Sequence, residues 1–219
     1  MMLVTFASPS HFEMCERFVV SNAKDAGFTE LVFHKANQIC ESGNYNTTGF
    51  AEAMLGKLEL LANIPIGERI CYVDADCLIL PGLADWCEDW LHKNPQAIGH
   101  GKDANQFGMG TLVFEQSSDT KKWWSFIHQL AWMVGLHDQT TLNALTSAAV
   151  RSPVALLKLD NEVFSNWATY GDIAKKYWQG EELIVPGSTL CWHANWCIGI
   201  RSKIYMLEIV GKVLTELSV

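Results

Sequence analysis

Short β-rich apolar runs alternate with segments of helical periodicity through the first 80 residues, and this alternation narrows the possible folds most. "LVTFAS" (3–8) reads as a strand, and His11 to Ala26 as a helix with Phe12, Cys15, Phe18 and Val19 on one face, stopped by Gly27. "ELVFHK" (30–35) is a second strand, and the polar loop "ESGNYNTTG" (41–49) leads into a helix from about Phe50 to Ala62. "RICYV" (69–73) is a third strand. A β-α-β-α-β opening predicts an α/β architecture with a mainly parallel sheet flanked by helices. Further along, 83–92 reads as a helix, "TLVFE" (111–115) as a strand, 119–134 and 138–149 as helices. Short strands near 154–159 and 189–193 precede a last helix from about Ser202. With no repeat and no linker, the 219 residues are expected to form one domain over 1–219.

The third strand ends in two carboxylates, Asp74 and Asp76, inside the apolar run "GERICYVDADCLILPG" (67–82). Ligands of open parallel sheets bind beyond the carboxyl ends of the strands, where this pair falls. Residues two apart on an extended chain point the same way, so both carboxylates can face one point. Nothing in "CYV" or "CLIL" neutralises them. A divalent cation with a bound diphosphate would, through hard oxygen ligands completed by phosphate oxygens and water. The alternative is a pair of turn or N-cap aspartates.

Composition restricts what such a site can serve. The formal net charge of −8 argues against a broad nucleic-acid surface, so an anionic ligand would be held by focal devices: a metal, a lysine or a helix N-terminus. No apolar stretch approaches the roughly 20 residues that cross a bilayer. The start "MMLVTFASPS" has no basic region, so no signal peptide is expected and the sequon at Asn46 is expected to be silent. Seven cysteines without a C-x-x-C, with Cys71, Cys77 and Cys191 in apolar runs, fit buried thiols in a reducing, cytoplasmic location.

"TLCWHANWCIGIRSK" (189–203) is the second informative segment. His193 ends a short apolar strand, Gly199 follows, and Lys203 begins the last helix. An imidazole can complete a carboxylate metal site, where it favours Mn²⁺ over Mg²⁺. A glycine permits close backbone approach to phosphate, and a lysine supplies a point charge. The alternative is a core histidine beside Trp192 and Trp196.

Asp74-x-Asp76 after a strand, followed by His193, Gly199 and Lys203, resembles the metal and diphosphate sites of retaining GT-A glycosyltransferases, in particular the glycogenin-like and bacterial galactosyltransferase-like enzymes of the nucleotide-diphospho-sugar transferase family. "HDQTTLNAL" (137–145) is similar to the family's Asp-Gln-x-x-x-Asn element, and "FGMGTLVF" (107–114) to its Asn-x-Gly strand. The asparagine of that strand is Gly108 here, a departure that leaves a hydrogen bond to donor or acceptor in question. The resemblance implies a GT-A-like fold and a nucleotide diphosphate sugar donor, a UDP-sugar. It implies Mn²⁺ or Mg²⁺ on Asp74, Asp76 and His193, and an acceptor that is a glycan, lipid or protein. It assigns donor binding to Ala7, Lys57, Asp74, Gly199 and Lys203, and places Asp138 and Gln139 by the anomeric carbon, with retention.

Several residues carry a second reading. Lys57 falls at the edge of the stripe made by Phe50, Met54 and Leu61, where a snorkelling surface lysine is the alternative. For Asp138 and Gln139 the alternative to a role by the anomeric carbon is capping of the helix beginning there. Trp123, Trp124 and Trp132 are expected in the core, Trp196 as a stacking platform, and His100, Lys102 and Asp103 in a polar loop near the sugar. A haloacid-dehalogenase-like phosphatase also carries D-x-D, but Leu78 and Lys176 stand where that class wants a Thr or Val and an acid. A sugar-phosphate nucleotidyltransferase needs a Gly-rich N-terminal loop with an arginine, absent from "LVTFASPSHFEM". A nucleotide-sugar-binding protein with little turnover remains as the non-enzymatic alternative.

Overall fold

The structure, a computed structural model, describes residues 1–37, 40, 47–103, 106–166, 185–195 and 197–217. Its centre is a six-stranded sheet in the order β2-β1-β3-β6-β5-β7. The strands are β1 (Met2–Ala7), β2 (Glu30–Lys35), β3 (Arg69–Asp74), β5 (Ala97–Asp103), β6 (Gln106–Glu115) and β7 (Ala155–Lys158). β1 runs parallel to β2 and β3, and β5 parallel to β7, while β6 is antiparallel to both of its neighbours. The mainly parallel sheet expected from the opening is therefore present, with one reversed strand at its centre. A second sheet of three short strands, β4 (Cys77–Ile79), β9 (Cys191–His193) and β8 (Phe164–Asn166), stands beyond the end of β3 in the order β4-β9-β8.

Strict period-two alternation divides the central strands between two cores. Leu3, Cys71 and Val113 are register partners across β1, β3 and β6, and they pack with Val19, Leu83 and Leu91 on one face. Val4, Tyr72 and Leu112 turn to the other face, against Leu58, Leu61, Trp123 and Trp124. The helices that cover the sheet are α2 (Phe50–Asn63), α3 (Leu83–Lys93), α4 (Ser118–Val134) and α5 (Asp138–Ser147). A third core of Leu78, Trp192, Met206, Leu207 and Val210 seats the last helix, α6 (Ile200–Leu217), on the small sheet. Gln116, buried at the end of β6, donates to Leu61 O at 2.9 Å and Ile64 O at 3.3 Å, satisfying carbonyls at the C-terminus of α2.

Three expectations need correction. The continuous helix over 11–26 is a 3₁₀ turn (Pro9–His11), the short α1 (Phe12–Cys15) and a π turn (Glu16–Val20), followed by turns to Gly27. Ser21 Oγ donates to Arg17 O at 2.6 Å, a side-chain bond that competes with helix propagation. His100, Lys102 and Asp103 lie in β5, not in a loop, because β6 begins at Gln106 and pairs with them. Trp132 is 70% exposed. Trp123, Trp124, Ile127 and Ala131 fill the buried stripe of α4, and the next residue falls outside it. β8 had no signal strong enough to be anticipated. Trp196, Lys176 and Asn46 lie outside the described residues.

Candidate active site

The register of the central sheet decides where the two aspartates meet other groups. β1 and β3 are parallel with Phe6 opposite Asp74, so Ala7 and Asp74 end together. β6 returns antiparallel with Thr111 opposite Val73, which brings Gly110 alongside Asp74. After Asp74 the chain turns through Ala75 and Asp76 into β4, whose Cys77 is the register partner of His193 on β9. Asp76 O accepts from Ala194 N at 2.9 Å, fixing that turn to the strand that carries the histidine.

Four of the residues named from sequence converge there. His193 Nε2 lies 3.1 Å from Asp76 Oδ1 and 3.9 Å from Asp74 Oδ2. Lys203, in the first turn of α6, places Nζ 2.5 Å from Asp76 Oδ2. Burial alone would raise the Asp76 carboxyl, but Lys203 and His193 outweigh it and hold the group well below the usual carboxylate range. Burial pulls His193 the other way, and the Asp76 charge more than compensates, so its pKa is raised. Gly199, immediately before α6, has φ +86°, and a Cβ there would meet open space. Only a glycine takes that backbone readily.

The glycine of the Asn-x-Gly strand has a local cause. A Cβ at Gly110 would overlap His193 Cε1 and lie 2.6 Å from Nδ1 and 3.0 Å from Asp74 Oδ2. The imidazole occupies the space a side chain would need. At Gly108, where the family pattern has asparagine, a Cβ would press on the Gly101 carbonyl oxygen at 3.1 Å and on Asp103 N at 3.3 Å. The close pairing of β5 and β6 leaves that position little room.

The donor set fits a hard divalent cation. Adjacent ligands of an octahedral Mg²⁺-sized ion at about 2.1 Å stand roughly 3 Å apart, as the Asp76 and His193 atoms do. Asp74 Oδ2 stands further off, 3.9 Å from His193 Nε2, and the missing Cβ at Gly110 is what admits the imidazole. Cys77 Sγ also lies within 4.8 Å of the Asp76 and His193 ligand atoms. That thiol is buried, and a soft sulfur donor is less suited to a hard divalent ion than carboxylate or imidazole.

A second constellation lies behind Asp74. Lys57 on α2 is 1% exposed, which excludes the surface reading. Its Nζ is 3.1 Å from Asp74 Oδ1 and 2.7 Å from Asp138 Oδ2. Despite the burial that opposes it, the two carboxylates raise the Lys57 pKa, and the ammonium depresses Asp138 to about 2. Tyr72, two residues before Asp74 on the same strand face, donates to Asp74 Oδ1 at 2.6 Å. Sequence reasoning passed over Tyr72, although its period-two spacing from the aspartate was the available signal.

Asp138 is 2% exposed and Gln139 half-buried at the start of α5. The N-cap is His137, which accepts from Thr140 N, so neither residue is the cap. Gln139 is held at both ends: Oε1 accepts from Met109 N at 3.3 Å and Nε2 donates to Asp103 Oδ2 at 2.6 Å. Asn143, the last member of the Asp-Gln-x-x-x-Asn element, bonds both backbone groups of Phe107, its Oδ1 accepting at 3.0 Å and its Nδ2 donating at 3.1 Å. That element thus joins α5 to the strand bearing Gly108 and Gly110.

No protein-family model and no curated protein sequence matches the chain. Solved structures do. The galactosyltransferase LgtC, in complex with donor and acceptor sugar analogues, is 15% identical with a TM-score of 0.58, covering 100% of this chain and 97% of that one. A glycosyltransferase involved in glycosylation of the major capsid of PBCV-1 is 11% identical, TM-score 0.62, over 94% of this chain and 98% of that one. Mouse xyloside xylosyltransferase 1 in its apo form is 12% identical, TM-score 0.54, over 91% and 99% respectively. The chain therefore has the α/β fold of the GT-A-like glycosyltransferases, as its sequence motifs imply.

Proposed function

We propose that this chain is a metal-dependent glycosyltransferase that moves a sugar, with retention, from a UDP-sugar to a glycan, lipid or protein acceptor. The observation that carries the reading is the convergence of Asp74, Asp76 and His193 beside Gly110, with Lys203 against Asp76. These three side chains are the ligands for Mn²⁺ or Mg²⁺, which when bound acts as a Lewis acid on the charge growing at the leaving diphosphate. Lys203 and the α6 N-terminus after Gly199 offer positive charge to the phosphates. Ala7, at the end of β1, borders the nucleotide. Lys57 serves the donor through the carboxylates it holds, since its ammonium faces Asp74 and Asp138. Gln139 faces the reacting sugar, with its amide oriented by Met109 N and Asp103. Asp138 supports the positive charge of the oxocarbenium-like transition state from behind, through the same buried network. In LgtC, a glutamine-to-glutamate change is an active-site substitution, in keeping with a glutamine in this role.

Gly108 favours a second reading, a nucleotide-sugar-binding protein with little turnover, because the side chain the family places there is absent. Donor hydrolysis and transfer measured with Mn²⁺ and with EDTA separate the two. The transferase reading expects Mn²⁺-dependent turnover of a UDP-sugar, reduced at least about 100-fold by Asp76→Asn. Tight donor binding without turnover selects the second reading. Full activity of Asp76→Asn refutes the assignment of the metal site.

A further inference from the structure

We propose that Tyr72 and Lys57 are positioning residues that set the metal affinity of this site by engaging one oxygen of Asp74 and leaving the other turned to His193. The proposal rests on the reading of Asp74 as a metal ligand. Both donors converge on the same atom: Tyr72 Oη is 2.6 Å and Lys57 Nζ 3.1 Å from Asp74 Oδ1. Oδ2 is the oxygen 3.9 Å from His193 Nε2. A carboxylate held by two donors on one oxygen loses its rotational freedom before any ligand arrives, so the ordering cost is not met on binding.

The arrangement is itself over-determined. Tyr72 is fully buried, and its ring lies 5.1 Å from Lys57 Nζ, close enough for a cation–π contact. Lys57 in turn is fixed from the other side by Asp138 at 2.7 Å. One ammonium therefore ties the metal-facing aspartate of β3 to the first residue of α5. Hydrogen-bond partners of metal ligands commonly change metal affinity 10–100-fold.

The test is Mn²⁺ binding to the protein alone, followed by the electron paramagnetic resonance signal of free and bound ion. Tyr72→Phe keeps the ring and removes only the donor; it is expected to raise the Mn²⁺ Kd at least about 10-fold and to alter the bound-ion signal. A packing role alone would lower the metal-free melting temperature and leave the Kd unchanged. Lys57→Arg, which keeps the buried charge but moves its donors, must weaken Mn²⁺ binding in the same direction, and it decides the matter should Tyr72→Phe fail to fold. Unchanged Mn²⁺ affinity in a folded variant overturns the positioning role while leaving the metal site standing. If the parent itself binds no Mn²⁺, both the positioning role and the metal reading fall.

Discussion

A methyl group at position 110 would lie inside the imidazole of His193, and this clash is the sharpest single-residue constraint at the site. Gly110→Ala is expected to displace His193 from Asp76 while β6 stays paired, because alanine is compatible with extended backbone and the obstruction is a side chain. Mn²⁺-dependent donor turnover should fall at least about 10-fold with the far-UV circular dichroism unchanged. Full activity would show that His193 is not needed where it stands. At the same scale, Asp76 differs from Asp74 in its partners. Asp76 faces a lysine and a histidine from the far end of the chain, whereas one oxygen of Asp74 is engaged from within by Tyr72 and Lys57.

Among elements, the Lys57–Asp138 pair pins α2 to α5 beneath the end of β3. Asp138 titrates near 2 in the folded protein, against about 3.9 when unfolded. A depressed carboxyl contributes stability above its unfolded pKa and loses it as pH falls through the folded value. The contribution is about 2–3 kcal/mol, fully present above pH ~5 and lost progressively toward pH ~1. Asp138→Asn is therefore expected to cost about 2 kcal/mol or more at neutral pH, with the deficit shrinking below pH ~5. Urea unfolding of parent and variant at several pH values measures it, and a deficit independent of pH would contradict the ion-pair account. The same elements show the range of what a sequence pattern conveys. The strands β1, β3 and the core of β6 were legible because apolar runs of β-formers end at turn signals. The N-terminal part of β6 came only through the family resemblance of 107–114, and the continuation of β5 through His100, Gly101 and Asp103 was not legible: glycine and charge dilute the strand signal there, and pairing with β6 makes those residues strand.

Considered as a molecule, the site is assembled from segments remote in sequence: α2 and β3, the turn into β4, α5, and the β9–α6 segment. A ligand bridging them should stabilise the folded chain as a unit. A nucleoside diphosphate with Mn²⁺, each well above its Kd, is expected to raise the melting temperature by about 5–10 °C, and far less with EDTA in place of the metal. Equal shifts in the two conditions would remove the bridging role of the ion.

Sequence by itself determined the α/β layering, the position of the paired aspartates at a strand end, and the candidacy of His193, Gly199 and Lys203. Each of these is written in local features: periodicity, charge within an apolar run, and glycine before a helix. Tertiary structure decided which of these meet. For Lys57 the sequence left a donor-phosphate role and a snorkelling surface lysine both open, because helical periodicity cannot see two carboxylates arriving from β3 and α5 to neutralise a buried ammonium. The capping alternative for Asp138 gave way to His137 for the same reason: its carboxylate is taken by a long-range ion pair. Gly110 is a glycine because β9, about eighty residues later, brings an imidazole against it. Local pattern records what a residue prefers, and only the packed chain supplies the partner that makes a buried charge or a missing side chain necessary.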